Sequence, residues 1–267
     1  MMEVLIINLS RATERMAFQE RQMEALGLAY TRLNASDVQA TTQYPATYWN
    51  TWERPLLDTE KACFLSHQRA WAQIVAGDKP ALVLEDDAFL SPDTPALLEL
   101  LQSVKGIDFL TLETRGRKKL LASKQKEQEK KLGIRRIYQD RSGAAAYVLW
   151  PKGARKLLRR ARTRTGLADA IICAAYELEA FQADPALAIQ IDQCEFYGLV
   201  PPIQTRSTIA TDSQLAGIWE GRSTSERLHF RIKRLLSQLR MGIRFVSKAA
   251  ISERRYVNPA QQRSFDT

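Results

Sequence analysis

Nowhere in these 267 residues does an apolar run approach the ~20 residues that a bilayer-spanning helix requires. Cysteine is scarce as well. Cys63, Cys173 and Cys194 form no CxxC pair and no zinc-ligand spacing. That sets aside a disulfide framework and points to a reducing compartment. No basic segment precedes the first apolar run, Val4-Leu5-Ile6-Ile7, so the start reads as a β-strand and not as a signal peptide. No internal repeat is visible, which argues against a repeat architecture. These absences predict a cytoplasmic protein, or one peripheral on the inner face of a membrane.

What is present is a globular composition, 45% hydrophobic and 26% charged, so disorder over most of the length is excluded. The length suits one large α/β domain or two small ones. The formal charge of +9 suits a polyanionic partner: nucleic acid, anionic lipid or a phosphorylated glycan. Charge alone does not choose among them.

The patterning predicts an α/β fold. Val4 to Leu9 is continuously apolar, as in a strand buried on both faces. Ala12, Met16, Gln19, Met23 and Leu26 then recur at helical spacing, and Gly27 ends the helix. Arg11 and Arg15 share a face near its start. Leu28 to Leu33 is a second strand, and strand, helix, strand suggests a parallel sheet. Residues 36–59 form a long loop with Tyr44, Tyr48, Trp49 and Trp52, either a binding loop or an excursion that packs back on the body. A helix follows from Thr59, its N-cap, to Ala76, with Cys63, His67, Trp71 and Ile74 on one side. Residues 115–136 carry ten basic residues against Glu127 and Glu129, and predict a basic loop or a solvated helix. Ser142 to Trp150 is a strand, and Pro151 opens a helix. From Glu226 to Arg255 there are nine basic and two acidic residues. Leu228, Ile232, Leu235, Leu239, Ile243 and Val246 recur there at three and four, the pattern of a basic amphipathic helix. Such a helix either lies on an anionic membrane or docks its stripe on the core. The chain beyond Tyr256 looks frayed. The division expected is a catalytic domain, residues 1–212, and a basic helical extension, residues 213–267.

The chemistry concentrates where the apolar strand Ala81-Leu82-Val83-Leu84 runs into Glu85-Asp86-Asp87. In an open parallel sheet, ligands bind beyond the carboxyl ends of the strands. Three clustered carboxylates repel one another unless a cation sits among them. Hard oxygen ligands suit Mn2+ or Mg2+, which bind through one or two carboxylates plus substrate phosphates. Alternation along the strand pairs Glu85 with Asp87 and turns Asp86 elsewhere. The plain alternative is an acidic turn that caps the next helix. His67, among Cys63, Trp71 and Ile74, reads by itself as a packed core group.

Several segments then resemble one family. They are Ile7-Asn8-Leu9-Ser10-Arg11 with Arg15, Cys63-Phe64-Leu65-Ser66-His67 with Trp71, and Leu82-Val83-Leu84-Glu85-Asp86-Asp87. Gly143-Ala144-Ala145-Ala146-Tyr147, with Gly153-Ala154 and Asp169, is a fourth; Val200-Pro201-Pro202 with Gln204 is a fifth. In order and spacing the chain resembles glycosyltransferase family 25, the lipooligosaccharide galactosyltransferases, over residues 3–212. It departs from the pattern at Lys61-Ala62, where a glycine is usual, and after Asp37.

The resemblance implies a GT-A fold, a Rossmann-like single sheet. It implies inverting transfer of a hexose, galactose in the family, from a UDP-sugar to an anionic lipopolysaccharide or lipooligosaccharide core glycolipid, with a β-1,4-galactosyltransferase as the model. Glu85 and Asp87 would hold Mn2+ or Mg2+. Asn8, Arg11, Arg15, Asp37, Glu85 and Asp86 would face the donor. Ser66 and His67 would lie near the site. An inverting transfer needs a base, and Asp169, among Leu167, Ala168, Ala170 and Ile171, is the candidate. Its alternative role is an N-cap. Nucleic acid is not expected as a partner. The competing expectation is a non-catalytic basic protein held on an anionic membrane or polyanion. A phosphohydrolase is disfavoured, because the acidic cluster lacks the Asp-x-Asp-x-Thr spacing.

Overall fold

The computed structural model describes residues 2–140, 143–204 and 217–260. The first strand, β1 (Glu3–Asn8), leads into α1 (Thr13–Leu26), and β2 (Thr31–Asn34) returns parallel to β1 with Leu5 opposite Thr31. Gly27 closes α1 in the left-handed conformation, φ +63°, which glycine adopts without strain. A 3-10 turn over Val38–Gln43 and the short α2 (Ala46–Trp49) occupy the segment expected as a long loop. Its aromatics pack back on the body. Trp49 is buried, and the Tyr48 hydroxyl donates to the Ala161 carbonyl at 2.7 Å.

The next helix, α3 (Asp58–Gly77), does not start on a Thr59 cap. Leu57 is the N-cap residue, and Glu60 accepts the Leu57 N–H at 2.9 Å while Arg54 clamps Glu60 at 2.6 and 2.8 Å. The carboxylate three residues into the helix thus satisfies the Leu57 backbone donor. β3 (Ala81–Glu85) pairs parallel with β1. It ends at Glu85; Asp86 and Asp87 form a turn into β4 (Ala88–Leu90), so strand alternation stops before the cluster is complete. The element after the acidic turn is a strand and not a helix, and the cap role falls away.

The remaining elements are α4 (Thr94–Leu101), β5 (Phe109–Thr111), β6 (Lys119–Ala122), α5 (Glu127–Lys131), β7 (Ile134–Gln139), β8 (Ala146–Leu149), α6 (Pro151–Ala161), α7 (Ala168–Cys173), β9 (Ala180–Ala183), β10 (Ala188–Gln190), α8 (Thr224–Lys248) and β11 (Ser252–Arg255). The described strands form a nine-stranded sheet in the order β11-β6-β7-β9-β5-β8-β3-β1-β2, and β10 pairs antiparallel with β4 in a second, two-stranded sheet. β2, β1 and β3 are mutually parallel, while β8 and β7 run against their neighbours, so the architecture is a mixed α/β sheet.

The sheet is covered on both faces, which explains the apolar runs Val4–Ile7 of β1 and Ala81–Leu84 of β3. Val4, Ile6, Leu82 and Leu84 pack with Met16 and Met23 of α1 and Leu97, Leu98 and Leu101 of α4. Leu5, Ile7, Val83 and Tyr147 pack with Phe64 and Trp71 of α3 and with Ala154, Leu157 and Ile171 of α6 and α7. Pro151 occupies the N-terminal turn of α6, as expected. Two buried amides fix the strand beyond the acidic turn. Gln19 and Gln22 of α1 donate to the Ala88 carbonyl at 2.8 and 3.0 Å, and Gln22 accepts the Leu90 N–H at 2.8 Å.

The basic tract 115–136 is only in part the expected loop or solvated helix: α5 has no buried residue, but strands flank it. It builds β6, α5 and the start of β7. Lys119 is fully buried, with its ammonium 2.8 Å from the Asp140 carboxylate and donating to the Glu113 carbonyl at 2.9 Å. Pairing lets a cation enter the fold, which charge counting does not register. The boundary expected at 212/213 falls among residues outside those described. Beyond it the chain is not helix alone. β11 pairs with β6, and Val257 and Ala260 are buried, so residues 257–260 are packed and not frayed.

Candidate active site

Four segments meet at the carboxyl ends of β1, β2 and β3. Together they line a cleft of about 340 Å3 that contains Arg11, Arg15, Asp37, Ser66, His67, Glu85, Asp86 and Asp87. Asn8 sits at its floor. Its Nδ2 donates to Asp86 Oδ2 at 2.7 Å and to the Ala12 carbonyl at 3.1 Å, tying the end of β1 both to the acidic turn and to the start of α1. Ser66 accepts the Ser36 N–H at 2.8 Å and donates to the Ala62 carbonyl, which fastens the segment after β2 onto α3. Asp37 accepts the Ala40 N–H at 3.0 Å, capping the 3-10 turn while it lines the cleft.

The three carboxylates have different surroundings. Asp86 is held by Asn8 and by Arg15, whose Nη1 lies 3.0 Å from Asp86 Oδ1. Burial raises its pKa and Arg15 opposes that rise. Asp87 is farther from Arg15, at 4.0 Å, and its Oδ1 is buried with no hydrogen-bond partner among the described residues. Burial first, and the Glu85 charge second, push the Asp87 carboxyl up to about 7. Glu85 is oriented by His67, with Nε2 3.1 Å from Oε1.

That histidine belongs to a buried chain of hydrogen bonds. Trp71 Nε1 lies 2.9 Å from the Tyr147 hydroxyl, and His67 Nδ1 lies 2.9 Å from the same oxygen. An indole N–H can only donate, so the Tyr147 oxygen accepts there; the Glu85 carboxylate can only accept, so a neutral His67 places its proton on Nε2 and Nδ1 accepts the Tyr147 hydroxyl proton. The ring then carries its proton on Nε2 and donates to Glu85. His67 is therefore both a packed core group and an orienting group for a cleft carboxylate.

Cys63, His67 and Glu85 place ligand atoms within 4.8 Å of one another. Their chemistry fits a metal poorly. His67 and Cys63 are nitrogen and sulfur donors, which suit softer ions than the hard cations that accompany phosphates. Burial, then the Glu85 charge, raise the Cys63 thiol well above its ordinary range. Glu85 and Asp87 fit better: two hard carboxylates, one with a buried orphan oxygen, whose mutual repulsion a divalent cation would relieve.

Nine of the ten residues expected at the site line this cleft or, for Asn8, bond to its acidic turn. Asp169 lies elsewhere. It lines a second cavity of about 720 Å3, between the N-terminal end of α7 and α8. It is the second residue of α7, not its cap, which is Leu167, and its Oδ1 accepts the Ala170 N–H at 2.7 Å. Burial raises its pKa, the Ala170 hydrogen bond lowers it, and the Glu85 charge adds to the rise, so the two cavities feel each other electrostatically. The sequence reading missed Glu113. This fully buried carboxylate, just past β5, accepts the Ala145 N–H at 2.9 Å and is pushed up to about 8, mainly by burial. A Cβ at Gly143 (φ +56°) would sit 2.0 Å from its oxygens, which is why glycine stands there. Ala145 in turn accepts the Glu85 N–H at 2.8 Å, so Glu113 steadies the backbone that carries Glu85.

Among solved structures, the inositol-1-phosphate CTP transferase from T. maritima is similar at 11% identity over 84% of this chain and 98% of that one, with a TM-score of 0.37. The model of glycosyltransferase family 25, described as an LPS biosynthesis protein, matches residues 1–172, the stretch that contains every segment lining the cleft and Asp169. The chain belongs to glycosyltransferase family 25, a family of glycosyltransferases of LPS biosynthesis.

Proposed function

We propose that this glycosyltransferase has a GT-A-type site and moves a hexose, with inversion, from a UDP-sugar bound at the Glu85-Asp86-Asp87 cleft to an anionic core glycolipid. One observation carries the reading. Arg11 and Arg15, Asp37, Ser66 and His67, and the acidic turn come from four separate segments, yet they line one cleft at the strand ends. Galactose, a β-1,4 linkage and a lipopolysaccharide or lipooligosaccharide core acceptor rest on the family alone.

In this reading Glu85 and Asp87 would hold Mn2+ or Mg2+, which would supply Lewis-acid stabilisation of the diphosphate charge. Arg11 and Arg15, at the start of α1, bind phosphate oxygens. Arg15 also keeps Asp86 engaged, and Asn8 holds the turn in place. His67 orients Glu85 through the chain from Trp71 and Tyr147. Asp169 takes the proton of the acceptor hydroxyl as that oxygen bonds to the anomeric carbon. The bond from this carbon to the diphosphate breaks, and its electron pair leaves with the nucleoside diphosphate. A raised pKa makes Asp169 a more effective base.

The amphipathic helix supports a membrane partner. On α8 the residues Leu228, Ile232, Leu235, Leu239, Ile243 and Val246 are all exposed, Val246 at 73%, while Phe230 is buried and Lys233 and Arg244 donate to the Asn50 and Tyr138 carbonyls. The apolar stripe therefore points away from the body, which disfavours docking on the core. Arg227, Arg231 and Arg234 flank it, and an anionic inner-membrane surface matches both stripe and flank. No helix among the described residues is long and apolar enough to cross a membrane. We place the enzyme in the cytoplasm, peripheral on that surface.

A thermal-shift screen of UDP-, GDP- and CMP-sugars with Mn2+ tests the reading. A UDP-sugar at 100 times its Kd stabilises by about 2.7 kcal/mol. A response to no nucleotide sugar would leave the non-catalytic basic protein as the better account.

A further inference from the structure

The second cavity has a composition unlike the first. Its volume is about 720 Å3, and α8 forms one wall with Ser237, Arg240 and Met241 from the side opposite the exposed apolar stripe. The segment before β6 contributes Arg117 and Lys118, and β11 contributes Arg254. The Lys118 ammonium lies 5.3 Å from the centre of the Tyr256 ring. Lys118 and Arg254 also border a neighbouring hollow of about 250 Å3. The carboxylates facing this space are Glu53, Asp140 and Asp169. Asp140 is already matched by the buried Lys119 ammonium at 2.8 Å. The cations come from the segment before β6, from α8 and from β11, while Asp169 belongs to the first turn of α7. Trp52 and Tyr256 supply aromatic faces, on which the apolar face of a sugar ring can rest.

Resting on the transferase reading, we propose that this cavity is the acceptor subsite and that it selects a sugar bearing a phosphate or carboxylate group. The anionic group pairs with Lys118, Arg240 and Arg254, and guanidinium groups suit both oxyanions through paired N–H donors. The ring packs toward Trp52 and Tyr256, and a hydroxyl reaches Asp169. The subsite is completed only by the C-terminal part of the chain, because α8 and β11 supply two of its three cationic elements. The opposite face of the same helix carries the exposed stripe, so one element would set the enzyme on a lipid surface and recognise a glycan anchored there.

The test uses the full chain with Mn2+ and saturating UDP, so that the donor cleft is filled. Hexose 6-phosphate, hexuronate and the uncharged hexose are titrated by ligand-observed NMR. The expected result is binding of at least one charged sugar and at least about tenfold weaker binding of the hexose, with Arg240→Gln/Arg254→Gln losing about tenfold for the charged ligand. Whether phosphate or carboxylate is the natural group follows from which of the two binds tighter. Equal binding of charged and uncharged sugars would overturn the proposal. So would a charged sugar that UDP displaces, or one that binds the double variant unchanged. If UDP with Mn2+ fails to bind while the charged sugar binds in the Arg240- and Arg254-dependent way, the UDP-donor reading fails and the selection of a charged sugar by this cavity stands.

Discussion

Asp87→Asn should stabilise the metal-free protein and abolish its activity. In the fold the Asp87 carboxyl is pushed from its ordinary 3.8 to about 7, first by burial and then by Glu85. A carboxyl whose folded pKa is raised binds its proton more tightly in the folded chain than in the unfolded one. It therefore costs no stability below about pH 4, and the cost grows as pH rises through 4 to 7 and stays constant above. A rise of about three pKa units corresponds to about 4 kcal/mol at pH 8. The neighbouring Glu85 and Asp86 remain in the variant and share part of that strain, so a gain of roughly 2–4 kcal/mol is expected, which for a chain of this size raises Tm by about 4–12 °C. The assay is differential scanning calorimetry of wild type and variant with EDTA at pH 5 and pH 8. The variant should gain at pH 8 and gain much less at pH 5. Adding Mn2+ at pH 8 should raise the wild type and leave the variant unmoved. A variant no more stable than wild type at pH 8, or a gain that is the same at both pH values, would refute the strained-carboxylate account of the site.

Other expectations follow from single features. Asp169→Asn should lower transfer by about 10²–10⁴-fold while UDP binding stays near wild type and Tm does not fall, as measured by initial rates and calorimetry. Tyr147→Phe strands two buried partners, Trp71 Nε1 and His67 Nδ1. It should cost about 2–5 kcal/mol by chemical denaturation and lower transfer through the loosened Glu85. Leu235→Glu/Leu239→Glu, on the exposed stripe of α8, should abolish flotation with vesicles containing anionic phospholipid and leave Tm unchanged; undiminished flotation would put the lipid contact elsewhere.

The parts of this fold that were legible in the sequence are those fixed by local rules. β1, α1 and the Gly27 stop follow from an apolar run, a helical stripe and a residue that tolerates positive φ. Placing Glu85 at a strand end followed from the apolar run before it, and the cleft residues beyond came with the family resemblance. What escaped depends on tertiary pairing. Lys119 reads as solvated without Asp140 beside it, and with it the whole tract 115–136 reads as a basic loop or a solvated helix. Alternation was extended past Glu85 because nothing local marks the turn at Asp86 and Asp87. The Thr59 cap lost to Glu60, whose reach back to Leu57 only the folded helix end displays. Glu113 carried no signal, since a lone glutamate after a strand reads as surface. Asp169 could be ranked as a base from its apolar neighbours, but its separation from the donor cleft, and the wall that α8 builds opposite it, require chain segments some seventy residues apart to meet.

The central claim is metal-dependent sugar transfer at the acidic turn. Its most direct test is nucleotide release by the purified full chain from UDP-galactose and other UDP-hexoses, with Mn2+ or EDTA, for wild type and Asp87→Ala. The account predicts UDP formation with Mn2+, its loss in EDTA, and its loss in the variant at unchanged fold by circular dichroism. Full turnover by Asp87→Ala, or turnover indifferent to EDTA, would contradict it.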